Sequence, residues 1–225
     1  MVMKMKKLKK IGLFILLALL YLGLIELIIT LYLVSIKKDA GIVNSISFML
    51  IKEGILSIVI FILYRKYLIE KFKLFLKNFS SYFSIGFKHW FMGFILMITA
   101  NIFINKIAPG LGENEGAVQN LISNYPIQTF FLTTFFAPFL EEMIFRKSLQ
   151  DCFKNKTLFM VISGLIFGYI HVMTSSNPLE YLLIIPYGGL GFFFAKSVWE
   201  TDNIYSSIVM HMLHNGVLTI LSMVI

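Results

Sequence analysis

Cysteine is almost missing from this sequence. Cys152 is the single one among 225 residues, so no intrachain disulfide can form and its thiol reads as a structural group. Charge is scarce as well. Charged residues make up 14% of the chain against 58% hydrophobic ones, with a mean hydropathy of +0.81. That excludes a soluble globular domain and points to an all-α, polytopic membrane protein. No internal repeat and no soluble domain interrupts the apolar runs, so residues 1–225 read as one integral-membrane domain. The net charge of +8 does not gather into one basic patch. Its lysines fall between the apolar runs, which argues against a nucleic-acid partner and for contact with anionic lipid headgroups. A cleavage site of small residues is missing too. The basic start MVMKMKKLKK leads into 26 apolar residues, 11–36, too long for a signal peptide, and predicts a retained first transmembrane helix.

With about 20 apolar residues per span, the chain predicts a bundle of about seven helices. They cover residues 11–36, 41–64, 89–107, 127–153, 158–174, 178–199 and 203–224. Between the second and third, residues 65–88 alternate Leu, Ile and Phe with Lys, the pattern of an amphipathic segment lying in the membrane interface. The stretch APGLGENEGAVQNLISNYP is polar and glycine-rich and reads as an exposed loop. Asn177, Pro178 and Glu180 give the sixth helix an N-cap, a first-turn proline and a first-turn acid. Pro186 with Gly188, Gly189 and Gly191 predicts that this helix is kinked and closely packed. Asn101 and Asn105 share one face of the third helix and are expected to bond across helices.

Lys and Arg set the orientation. Placing the N-terminus in the cytoplasm puts Lys4, Lys6, Lys7, Lys9 and Lys10 on that side, with Arg65, Lys66, Lys71, Lys73, Lys77 and Lys88. Arg146, Lys147, Lys154, Lys156 and Lys196 join them, leaving Lys37, Lys38 and Lys106 opposite and Lys52 within a span. The expectation is a multi-pass protein of the cell membrane with its N-terminus cytoplasmic.

A charge at the bilayer centre costs roughly 2.5–3.5 kcal/mol, so ionisable groups inside these helices need a reason. Glu26 and Lys52 lie at similar depths on the first two helices and are expected to pair. A second set lies on helices four, five and seven: Glu141, Glu142 and Arg146, then His171, then His211, His214 and Asn215. Glu142 and Arg146 are four residues apart, as are His211 and Asn215, so each pair shares a helix face. Measured from the cytoplasmic turns, Glu141 lies about 18 Å deep, His171 about 20 Å, and His211 and Asn215 about 12 and 18 Å. Pro138, one turn before the glutamates, is expected to free backbone carbonyls and bend its helix.

Carboxylate and imidazole at one depth can share a water as general base and orienting partner. A second histidine with an asparagine can donate to a developing oxyanion. Together they describe amide hydrolysis without a Ser or Cys nucleophile. Glu141, His171 and His211 are also a possible zinc set, with water as fourth ligand, although H-E-x-x-H is missing.

The stretches EEMIFR, FGYIH and HMLHN, in that order over residues 141–215, resemble the motifs E-E-x-x-x-R, F-x-x-x-H and H-x-x-x-N. These belong to the CPBP family of CAAX-prenyl-protease and bacteriocin-processing intramembrane peptidases, also called Abi. The resemblance implies an intramembrane endopeptidase with a catalytic core at about 127–225, acting on a membrane-associated peptide or protein. In it Glu141 and His171 activate water, His211 and Asn215 stabilise the oxyanion, and Glu142 and Arg146 support the site. Members are often labelled metalloproteases, yet a metal-free glutamate mechanism has also been argued; the depth agreement needs no ion. Bacterial members are linked to peptide maturation and self-immunity. His214 lies outside the pattern. Two other readings use the same residues: a non-catalytic immunity or scaffold protein, and a proton- or ion-coupled transporter. The transporter needs a continuous polar path outward, which the apolar outer halves of helices five and seven do not offer.

Overall fold

The computed structural model describes the backbone of residues 2–224 and the side chains of residues 8–224. The side chains of Lys4, Lys6 and Lys7, counted above for orientation, therefore lie outside the described ones. Eight helices and no strand form among the described residues. They are α1 (residues 2–35), α2 (Ile46–Lys77), α3 (Phe79–Ile107), α4 (Glu113–Asn124), α5 (residues 126–150), α6 (Lys156–Ile170), α7 (Ile184–Thr201) and α8 (Tyr205–Val224). A 3₁₀ turn, Pro178–Leu183, leads into α7. Among the described residues five helices are long and apolar enough to cross a membrane: α1, α2, α3, α7 with its leading turn, and α8. Of the other two predicted stretches, α5 is diluted by its charges and α6 is 15 residues long. The protein is an all-α, multi-pass membrane bundle.

Two expectations about connections are corrected. Residues 65–88 do not form a separate segment lying in the interface. α2 has 32 residues, so it is about 48 Å long against about 30 Å of hydrocarbon. Its basic end runs on past the apolar part, turns at Asn78, and α3 begins at once. Leu68 and Phe75, seven residues apart on one face, are buried, and Lys71 ties the extension down. Its carbonyl accepts Asn203 Nδ2 at 2.8 Å and its ammonium meets Asp202 at 2.6 Å. Part of the apolar stripe is thus covered by protein at the α7–α8 turn, while Ile69, Phe72 and Leu76 stay exposed. The predicted loop at 108–126 contains α4. Its N-terminal N–H groups, on Gly112 and Glu113, are capped by the Glu180 carboxylate at 2.7 and 3.2 Å, and Ile122 is buried. That cap comes from 68 residues away, so local sequence could not announce it.

The sixth predicted helix is closely packed but not kinked at Pro186, which lies in the first turn of α7, where a missing N–H is tolerated. α6 and α7 meet through glycine. A Cβ on Gly168 would stand 2.6 Å from Ile184 O, and one on Gly164 2.7 Å from Gly188 O. α1 breaks at Gly23, whose φ of +129° only glycine adopts readily. Across that break the expected pair forms, Lys52 Nζ lying 2.6 Å from Glu26. Asn101 and Asn105 do not bond across helices; both are exposed and line a cavity beside α4.

Candidate active site

α5 carries the acidic motif, and its backbone widens into two π-helical turns, Leu132–Phe136 and Met143–Ser148. Each takes one carbonyl out of the helical ladder. In the first, Ala137 N–H bonds to Leu132 O and Pro138 has no N–H, so Thr133 O is left to accept Asn215 Nδ2 at 3.0 Å. In the second, Leu149 N–H bonds to the Ile144 and Arg146 carbonyls, and Phe145 O accepts the Ser163 hydroxyl at 2.7 Å. α5 is thereby joined to α8 and α6 on either side of the two glutamates. The carbonyl expected to be freed by Pro138 is present, and the π turn acts with the proline to free it.

Glu141 and Glu142 differ by about 100° around the helix, so they face different neighbours. Glu142 is fully buried and points to α8. It accepts the Ser207 hydroxyl at 2.5 Å and His211 Nδ1 at 2.9 Å. An ionised carboxylate only accepts, so Nδ1 is the donor in that bond. His211 Nε2 is left facing Glu141, 3.7 Å from Oε2. The other oxygen of Glu141 accepts the Tyr21 hydroxyl from α1 at 2.6 Å.

Arg146 is the largest fully buried side chain. Burying an ion costs several kcal/mol even after relaxation, so its surroundings must offset that. Nε lies 3.3 Å from Glu142 Oε2, an ion pair too far off line for a hydrogen bond, and Nη2 donates to Gly191 O at 3.3 Å. The guanidinium lies over the Phe167 ring at 4.2 Å and near Phe194 at 5.6 Å. Phe194 also stacks on His211, with centroids 4.9 Å apart.

His171 follows the last residue of α6, and its Nδ1 lies 2.7 Å from Phe167 O. A carbonyl only accepts, so Nδ1 carries the proton and Nε2 of the neutral ring keeps its lone pair. The ring is held between Phe167 and Tyr187, with centroids at 4.6 and 4.4 Å. Phe167 also meets His211 at 5.6 Å, so this one ring touches all three motifs. Tyr187 in turn donates its hydroxyl to Glu115 of α4. Glu115, Asn101, Asn105 and Gln119 line a cavity of about 630 Å³ that opens beside it.

Glu141, Glu142, Arg146 and His211 are therefore brought into direct contact. His171 joins them through Phe167, and Asn215 holds α5 one turn further along α8. His214 is separate, accepting the Trp90 indole N–H at 3.3 Å. Tyr21, Ser207 and Tyr187 were not singled out from the sequence. Ser207, four residues before His211 on the same face, could have been found by spacing; a lone tyrosine in the apolar α1 carries no such signal. Among the described residues no three His, Cys, Asp or Glu side chains are gathered as a metal site. Glu141, His171 and His211 do not fit a zinc centre in this arrangement, and no step below is routed through a metal.

Residues 123–217 match the family model described as "Type II CAAX prenyl endopeptidase Rce1-like". The candidate membrane peptidase YdiL of Bacillus subtilis (strain 168) is 32% identical over 114 residues, which is 49% of this chain and 43% of YdiL. An uncharacterized protein of Mycoplasma capricolum is 30% identical over 105 residues, 42% of this chain and 30% of the relative. The chain thus spans less than half the length of these curated relatives. No solved structure matches. The matched segment contains every residue of the three motifs, so over residues 123–217 the chain is similar to the Rce1-like peptidases.

Proposed function

We propose that this protein is an intramembrane endopeptidase that hydrolyses a peptide bond with water activated by Glu141 and His171. The observation that carries the reading is the position of His211. Glu142 fixes it on one side while its Nε2 faces the carboxylate of Glu141, inside a buried ring of groups drawn from α5, α6 and α8. A purely structural ion pair between Glu142 and Arg146 would need neither the second glutamate nor the second histidine.

In this mechanism Glu141 takes a proton from the water while the bare Nε2 of His171 orients it. The water oxygen bonds to the substrate carbonyl carbon. His211 Nε2–H and the second amide hydrogen of Asn215 donate to the oxyanion. With Nδ1–H committed to Glu142, donation from Nε2 requires the imidazolium, whose charge the flanking carboxylates offset. As the C–N bond breaks, Glu141 passes its proton to the leaving amine. Glu142, with Ser207 and Arg146 around it, keeps His211 in place.

The substrate is a membrane-associated peptide or protein tail. The carboxamides of Asn101, Asn105 and Gln119 suit an extended backbone, and their cavity adjoins Tyr187, which lies on His171. The N-terminus is cytoplasmic, and the exposed Arg65, Lys66, Lys73 and Lys77 meet anionic lipid headgroups on that side. Peptide maturation or self-immunity is the biological role this chemistry serves.

The test is to incubate the protein, reconstituted in liposomes, with polypeptides solubilised from the host membrane and to map new N-termini by mass spectrometry. Termini produced by the wild type and absent with Glu141→Gln and His211→Ala are expected. Undiminished cleavage by both variants overturns the assignment.

A further inference from the structure

We propose that Tyr21 is a positioning residue for Glu141, held in register by the Glu26–Lys52 ion pair across the break in α1. The inference rests on the peptidase reading above, but it concerns helices α1 and α2, outside residues 123–217.

Three contacts carry it. The Tyr21 hydroxyl donates to Glu141 Oε1 at 2.6 Å, while Oε2 is the oxygen facing His211. A glutamate side chain has three rotatable bonds, and a hydrogen bond to one oxygen fixes which oxygen is presented to water. The Tyr21 ring is seated edge-on against Phe145 of α5, with centroids 6.0 Å apart, so the donor arrives from a packed position. Lys52 then fixes the backbone from which Tyr21 projects. Its Nζ reaches Tyr21 O at 3.5 Å and Glu26 at 2.6 Å, on opposite sides of the Gly23 break. The ion pair is thus more than charge cancellation in lipid, because it bridges the irregular turn that aims Tyr21. Glu53, also buried, adds a further carboxylate to this region, and its Oε2 has no hydrogen-bond partner among the described residues.

The experiment uses the full chain with Tyr21→Phe, which keeps the ring against Phe145 and removes the donor alone. Loss of one hydrogen bond to a charged group should lower kcat by roughly 10- to 100-fold with KM within about twofold. The infrared band of Glu141, identified by its absence in Glu141→Gln, should shift in Tyr21→Phe. The paired change Glu26→Gln with Lys52→Met should lower kcat in the same sense. Adding Tyr21→Phe to that pair should produce little further loss, because all three act through one carboxylate. An unshifted Glu141 band, or a shifted band with kcat unchanged, overturns the proposal. If the wild type cleaves nothing, the peptidase reading has failed, and the infrared result alone still decides whether Tyr21 fixes Glu141.

Discussion

Replacing Gly168 by alanine puts a methyl group where α6 and α7 already touch. Its Cβ would lie 2.6 Å from Ile184 O, 3.0 Å from Gly188 N and 3.1 Å from Gly188 Cα. All three are backbone atoms, so no side chain can swing aside. Ordinary contact begins near 3.4 Å, so α6 must retreat by about 0.8 Å, and overpacking of this kind costs about 1–3 kcal/mol. The retreat carries Phe167 on α6 and His171 at its C-terminal cap, one and three residues away, off the site. A misplacement of about 1 Å can cost about 100-fold in rate. Gly168→Ala is therefore expected to lose far more activity than stability, read as initial cleavage rate against the melting midpoint in lipid. Gly12→Ala is the control, since a Cβ there meets nothing within 4 Å, and it should leave the rate unchanged. A Gly168→Ala protein as active as the wild type would refute the argument that helix approach sets the site.

Two further outcomes separate the roles of the paired glutamates and of metal. Glu142→Gln strips the fully buried Arg146 of its carboxylate, and breaking such a pair costs about 3–5 kcal/mol, so poor yield and early melting are expected. Glu141→Gln keeps the Tyr21 contact within reach of the amide oxygen and should stay folded while losing activity; equal stability of the two variants would reverse this assignment. Prolonged incubation with a strong zinc chelator should leave the cleavage rate within about twofold, because in the proposed mechanism Glu141 and His171 activate the water without an ion. Loss of activity that returns on adding zinc would replace that mechanism with a metal-assisted one.

What could be read along the chain was what is local or forced by lipid. The spacing within EEMIFR and HMLHN puts side chains on one helix face at any depth, and those faces meet through Glu142 and His211. Glu26 and Lys52 had to find each other because neither could remain alone in hydrocarbon, and they did. The failures share a different cause. The lysines of residues 65–88 suit water and lipid headgroups alike, so sequence could not decide whether that stretch lies flat or extends α2 and α3. α4 depends on a cap from Glu180, and an exposed polar stretch without that distant partner looks like a loop.

The sequence by itself determined a membrane bundle and the identity of its few ionisable groups, because apolar runs of span length and the cost of isolated charge leave little choice. Only the tertiary structure decided how those groups are aimed. The π turns that release Thr133 O and Phe145 O, the glycine contacts between α6 and α7, and the reach of Tyr21 to Glu141 each require atoms from helices distant in the chain. Such contacts have no local period to give them away, because the donor and the acceptor become neighbours only after the helices have packed.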